Sequence, residues 1–201
     1  KVAELENVVL HDGSVTFGRP GTVEFEESAV RVRLDSKNAS ESARVTPMAS
    51  LEIHQFPCLS DNYGVLIHDA GAGLTAAIDA PNAATVAAAL KEKGWTLTHI
   101  LTTHHHADHT DGNAALKAET KCIIIGPRNE AARIPGIDKQ VGEGDTFTFG
   151  AHQVQVLDTP GHTAGHITYV FPSAKVAFAG DTLFAIGCGR VIEGNAQMMW
   201  Q

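Results

Sequence analysis

The sequence predicts an α/β protein built in layers, and three observations carry that expectation. From Leu51 onward, short apolar runs recur between Gly, Pro, Asn and Asp residues and read as strands. Helical patterns fall between some of these runs, as packed sheet and helix layers require. A histidine-rich stretch, Thr103-His104-His105-His106-Ala107-Asp108-His109, stands where a strand ends and a helix begins. Such junctions are common places for ligand groups.

Residues 1–47 read differently from the rest. Val23 and Phe25, then Val30, Val32 and Leu34, alternate with charged residues and permit a short hairpin. Asp35 to Pro47 is polar and Ser-rich, like a linker. The expected organisation is an N-terminal extension over residues 1–47, without chemistry of its own, and a main domain over residues 48–201.

In the main domain the first strands are expected at Leu51–Phe56, Tyr63–His68 and Leu74–Ile78, with Gly71 and Gly73 turning between the last two. Pro81-Asn82 opens a helix whose Ala83, Val86, Ala87 and Leu90 share one face. Lys91 and Lys93 suit its C-terminal dipole, and Gly94 ends it. A buried strand at Thr98–Thr102 leads into the histidine cluster, and a helix follows around Asn113–Ala118. Further strands are expected at Cys122–Ile125, Thr146–Phe149, His152–Leu157, His166–Phe171 and Val176–Ala179.

Composition narrows the function. A chain of 201 residues, 43% hydrophobic and 19% charged, has the make-up of a globular protein with a sizeable core. No apolar run reaches the roughly 18 residues of a spanning helix, so no membrane partner is expected. No secretory signal is read at the N-terminus, although the chain begins at Lys1 rather than Met. Cys58, Cys122 and Cys188 are odd in number and far apart, which suits a reducing, cytoplasmic setting. A net charge of −8 argues against nucleic acid, whose phosphates need a basic face. Histidine is the anomaly, with eleven in the chain.

Imidazole nitrogens and carboxylates bind zinc and similar ions, and each ion needs three or four converging ligands. His104 and His106 are two apart, so on an extended segment they project to the same side. Asp108 and His109 follow on a tightening turn and can face a neighbouring point. Two further elements also follow expected strands: Gly161-His162-Thr163 and Gly180-Asp181-Thr182. Strand ends on one sheet edge can bring them to the cluster.

These motifs resemble the metallo-β-lactamase superfamily: Thr103–His109, then Pro160-Gly161-His162-Thr163, then Gly180-Asp181-Thr182. Within it, Leu59-Ser60-Asp61-Asn62-Tyr63, Thr159–His166, and Gly180–Phe184 continuing to Gly187-Cys188-Gly189-Arg190 are similar to glyoxalase II, the hydroxyacylglutathione hydrolases. Glu193-Gly194 and Met199-Trp200 fit bacterial members. The resemblance covers roughly Leu51 to Gln201 and implies an αββα four-layer sandwich with a binuclear site. It implies that His104, His106 and His162 hold one divalent ion and that Asp108 and His109 hold a second. Asp181 bridges the two, and zinc is the expected metal, with iron or manganese the alternatives. The resemblance implies that hydroxide generated at the ion pair would attack a thioester carbonyl, converting S-D-lactoylglutathione to D-lactate and glutathione. Asp108 and Asp181 are the catalytic carboxylates in this reading, and Arg190 faces the anionic glutathione.

The superfamily pattern has one more histidine beyond the Gly-Asp-Thr aspartate, and none follows Asp181 here. The resemblance therefore implies a chain that is incomplete at its C-terminal side, with a weaker second metal point and poor turnover. Val191 and Ile192 stand where aromatic character is usual. Asp79 is expected to accept a hydrogen bond from a ligand imidazole. His105 is expected to point away from the ligands. His54, His68, His99, His152 and His166 read as structural, and Asn62 and Tyr63 as shaping a strand start. Cys188 has no accompanying base motif, so a nucleophilic role is not expected. The alternatives are a mononuclear iron persulfide dioxygenase of the same superfamily and an inactive metal-binding fragment.

Overall fold

The computed structural model describes residues 50–200. The expected extension and linker over residues 1–47 lie outside the described residues.

Among the described residues ten strands form two sheets. The first contains β1 (Leu51–Cys58), β2 (Asn62–Asp69), β3 (Leu74–Ile78), β4 (His99–Leu101), β5 (Ile123–Pro127) and β6 (Lys139–Val141), in that spatial order. β1 to β3 form an antiparallel meander, whereas β3 to β6 run parallel. Parallel neighbours need crossovers, and helices α1 (Ala83–Lys93) and α3 (Asn113–Thr120) supply the first two. The second sheet, β7 (Thr146–Phe149), β8 (His152–Asp158), β9 (Ile167–Phe171) and β10 (Val176–Phe178), is wholly antiparallel.

Successive strand residues face opposite sides, and the first sheet uses this to feed two cores. Leu66, Ala77, Ile100 and Ile124 pack with Val86, Leu90 and Leu116 of the helices. Their immediate neighbours Ile67, Ala76, Leu101 and Ile125 pack against Val154, Val156, Ile167 and Tyr169 of the second sheet. Strands buried on both faces explain the continuous apolar runs, as expected of parallel sheets. β8 instead alternates buried His152, Val154 and Val156 with exposed Gln153 and Gln155. Among the described residues the layers are thus helices, sheet and sheet, three of the four layers in an αββα sandwich.

Helix α1 carries the expected caps. The Asn82 side chain accepts from Thr85 N at 3.0 Å, and Gly94 closes the helix in the left-handed region at φ 67°. β6 and the four-residue helix α2 (Ala107–Thr110) have no counterpart among the expected elements. Two of the three β6 residues are exposed and polar, and a single helical turn is too short to show a period.

The topology converges on one edge. β3 runs into Asp79 and β4 into Thr102–His106, both at C-terminal ends of parallel strands. β8 and β10 each pair antiparallel with β9, so they run parallel to one another. Their C-terminal ends lead to His162 and Asp181. Ile167 N donates to Thr103 O at 3.0 Å, and the Tyr169 hydroxyl lies 2.9 Å from Thr102 O, locking the sheets together beside the site. Among the described residues no helix is long and apolar enough to cross a membrane.

Candidate metal centre

Three imidazole nitrogens meet where the sheets join. His106 Nδ1 lies 3.1 Å from His104 Nε2 and 2.9 Å from His162 Nε2. His104 and His106 reach the same side because residues 102–106 stay non-helical, with His106 extended at φ −59° and ψ 148°.

Hydrogen bonding fixes the proton of two of these rings on the far side. His162 Nδ1 donates to the Arg190 carbonyl oxygen at 2.7 Å, so its Nε2 carries a bare lone pair. Thr103 Oγ1 donates to Asp79 Oδ2 at 2.8 Å and can then accept from His104 Nδ1 at 3.0 Å, which bares His104 Nε2. His106 Nδ1 faces both bare nitrogens and holds at most one proton in the neutral ring. At least one pair of lone pairs therefore faces at about 3 Å, an arrangement a cation relieves. Burial and the neighbouring imidazoles, His109 first, hold His104 far below the ordinary imidazole range. Burial and His162 lower His106 likewise. Neutral imidazole is the ligand form, so this donor set fits a divalent ion.

A second point adjoins the first. His109 Nδ1 donates to Asp79 Oδ2 at 2.8 Å, and its buried Nε2 has no hydrogen-bond partner. That nitrogen lies 3.2 Å from Asp181 Oδ1 and 3.6 Å from Asp108 Oδ2. Asp181 Oδ2 is in turn 3.2 Å from His162 Nε2, so this carboxylate spans both points. Burial opposes charge on His109, but Asp79 and Asp181 push it up to about 10. Burial raises Asp181, and the closely apposed His109 imidazole outweighs that and lowers it. A field that favours positive charge here equally favours a divalent cation.

All six residues expected as ligands are thus brought together, with Asp79 behind two of them. Asp79 achieves this from the left-handed region at φ 58°, a strained place for a residue other than glycine. Gly180 holds φ 47°, and a Cβ there would stand 2.6 Å from Thr103 Oγ1 and 2.8 Å from His166 Nε2. The residue preceding Asp181 must therefore lack a side chain.

Other expectations need adjusting. Arg190 reaches the site through its carbonyl oxygen, and its side chain is exposed. Asn62, expected only to shape a strand, donates from Nδ2 to Asp108 Oδ2 at 3.1 Å and orients that half-exposed carboxylate. His166, expected to be structural, is wholly buried, accepts from Asp181 N at 3.2 Å and stacks on His104. His105 turns away as expected, onto Glu130. The stretch after Gly189 folds over the His162 loop, with Glu193 N donating to His162 O and Gly194 N to Gly161 O.

The model of the metallo-beta-lactamase superfamily matches residues 60–199. The chain belongs to this superfamily. A hydroxyacylglutathione hydrolase of Rhizobium meliloti (strain 1021) is 58% identical over 154 residues, which cover 77% of this chain and 60% of the relative. One from Brucella anthropi is 61% identical over 151 residues, covering 75% and 58%. The chain thus spans about three fifths of the length of the curated relatives it matches. Among solved structures, ETHE1 from Myxococcus xanthus superposes with a TM-score of 0.65 at 34% identity, covering 74% of this chain and 66% of that one. The BLEG-1 B3 metallo-beta-lactamase has the same TM-score at 22% identity, over 74% and 81%, and so shares the fold. The layered sheets and helices described above are consistent with that fold.

Proposed function

We propose that this chain carries the metal-binding part of a hydroxyacylglutathione thioester hydrolase. The observation that carries the reading is the meeting of His104 Nε2, His106 Nδ1 and His162 Nε2, with Asp181 spanning from His162 to His109. His104, His106 and His162 would hold one divalent ion, Asp108 and His109 a second, and Asp181 both. Zinc suits the imidazole and carboxylate donors, as do iron and manganese. When bound, such a pair supplies a nucleophile at neutral pH and an electrophile for the carbonyl oxygen.

The chain's own residues then have defined tasks. With metal bound, Asp79 and the Arg190 carbonyl would hold the one remaining proton of His109 and of His162 on Nδ1, away from the metal points. Asn62 aims the Asp108 carboxylate. The bond broken is the thioester C–S bond, whose thiolate is a weak base and needs little protonation. A separate acid is accordingly not required, and none of the site's imidazoles is assigned to that work. The substrate is anionic while the protein carries −8, so a local cation is needed beside the metals. The exposed Arg190 side chain would provide it. Names of relatives near 60% identity support glutathione as the thiol. The free thiols of Cys58, Cys122 and Cys188 support a reducing, cytoplasmic setting.

Zinc-loaded protein should consume the thioester absorbance of S-D-lactoylglutathione and release free thiol. No thioester loss, with oxygen uptake on glutathione persulfide instead, would transfer the assignment to the mononuclear iron dioxygenase reading.

A further inference from the structure

Glu130 stands outside every ligand set, on the short 3-10 turn Arg128–Arg133 that follows β5. Its carboxylate is only 3% exposed, yet it accepts N–H groups from two different loops. Oε2 takes His105 N at 2.8 Å and His105 Nδ1 at 2.7 Å. Oε1 takes Gly165 N at 2.8 Å. His105 sits between His104 and His106, and Gly165 lies three residues beyond His162. One buried carboxylate therefore spans the two chain segments that bring the three imidazole nitrogens together. Glu193 repeats the pattern nearer the surface, accepting from Ala164 N at 3.0 Å and from Arg133 Nη2 at 2.8 Å. Burial opposes ionisation of Glu130, and its hydrogen bonds outweigh this and keep it below the ordinary carboxylate range.

We propose that Glu130 is a positioning residue that sets the separation of the two histidine loops and so the geometry of the three-nitrogen metal point. The proposal rests on the reading that His104, His106 and His162 hold a metal. Zinc-type ions bind imidazole at about 2.0–2.1 Å and tolerate deviations of only about 0.2 Å. Loops free to part by about 1 Å would lose one of the three ligands. Main-chain N–H groups of His105 and Gly165 cannot be replaced by side-chain chemistry, so the acceptor between them must offer two oxygens in one plane. An amide offers one. In a Glu130→Gln protein the NH₂ group must face either the two His105 donors or the Gly165 N–H. A Glu130→Asp protein keeps the charge and both oxygens but is one methylene short of spanning both loops.

The test is Co²⁺ titration of the chelator-treated chain, followed by its visible ligand-field absorption, for parent, E130Q and E130D. Far-UV circular dichroism of the metal-free proteins serves as the folding control. Both variants are expected to bind Co²⁺ about 10–100-fold more weakly, with a displaced absorption band, at parental circular dichroism. Folded E130D with parental affinity and spectrum would overturn the positioning role, because a purely structural carboxylate leaves both unchanged. A parent protein that takes up no Co²⁺ would instead overturn the metal reading beneath it.

Discussion

Asp79 Oδ2 accepts the Nδ1 proton of His109 at 2.8 Å, and the same oxygen accepts the Thr103 hydroxyl at 2.8 Å. Through Thr103 that one oxygen also governs His104, because the hydroxyl that donates to Asp79 is left to accept from His104 Nδ1. A single carboxylate on the β3 terminus thereby sets the tautomers of imidazoles from both metal points. Its backbone pays for this with a left-handed conformation at φ 58°.

An Asp79→Asn substitution separates these effects. Asparagine tolerates the left-handed region better than most residues, so the backbone is not further strained. Its amide keeps an oxygen for Thr103 N but sets a donor against His109 Nδ1. The neutral, metal-competent ring of His109 would then carry its proton on Nε2, facing Asp181. Affinity for the ion at His109 should fall about 10–100-fold, read as metal per chain after dialysis. Parental metal content in a folded D79N protein would refute the tautomer argument.

His106 is only partly buried, and its Nδ1 faces two bare nitrogens. His106→Ala removes a ligand together with a lone-pair conflict. The metal-free variant should melt at or slightly above the parental temperature. At free Zn²⁺ about 100-fold over the parental Kd the parent gains about 2.7 kcal/mol, and the variant should gain almost none. Calorimetry with and without Zn²⁺ decides it. An undiminished Zn²⁺ gain in the variant would remove His106 from the ligand set.

Burial holds His166 down to about 4, despite the raising influence of Asp79 and Asp181. The sign follows from linkage: below its ordinary value near 6.5 the unfolded chain takes up a proton that the folded chain resists. Stability from His166 is thus full above about pH 6.5 and is lost as pH falls toward 4. In His166→Gln the amide oxygen can still accept from Asp181 N. Denaturant midpoints of the chelator-treated proteins should fall less steeply in the variant, by up to about 1.4 kcal/mol per pH unit in that window. Parallel pH profiles would dismiss the neutral, buried imidazole.

Much of this site was legible in the sequence because its ligands are locally encoded. His104, His106, Asp108 and His109 fall within six positions, and His162 and Asp181 follow strands whose apolar patterns are plain. Apart from Asp79, the groups that hold them were not legible. Asn62 lies 46 residues from Asp108, and Glu130 lies 25 from His105 and 35 from Gly165. No period or spacing connects such pairs; only the folding of strand ends onto a common edge does. Arg190 shows a different limit. Its charge drew the expectation, whereas its contact with His162 uses a carbonyl that every residue has.

Arg190 therefore permits a clean division between backbone and side chain. Arg190→Ala retains the carbonyl that fixes the His162 tautomer, and the exposed guanidinium is absent from the ion pairs among the described residues. Metal content and melting temperature should stay parental, since surface substitutions usually cost within about 0.5 kcal/mol. If the side chain attracts the glutathione carboxylates, KM for the thioester should rise several-fold with kcat little changed, the mark of lost ground-state binding. The rise should shrink as salt increases, because screening weakens exposed charge attraction. An unchanged KM at low salt would place the substrate's anionic end elsewhere.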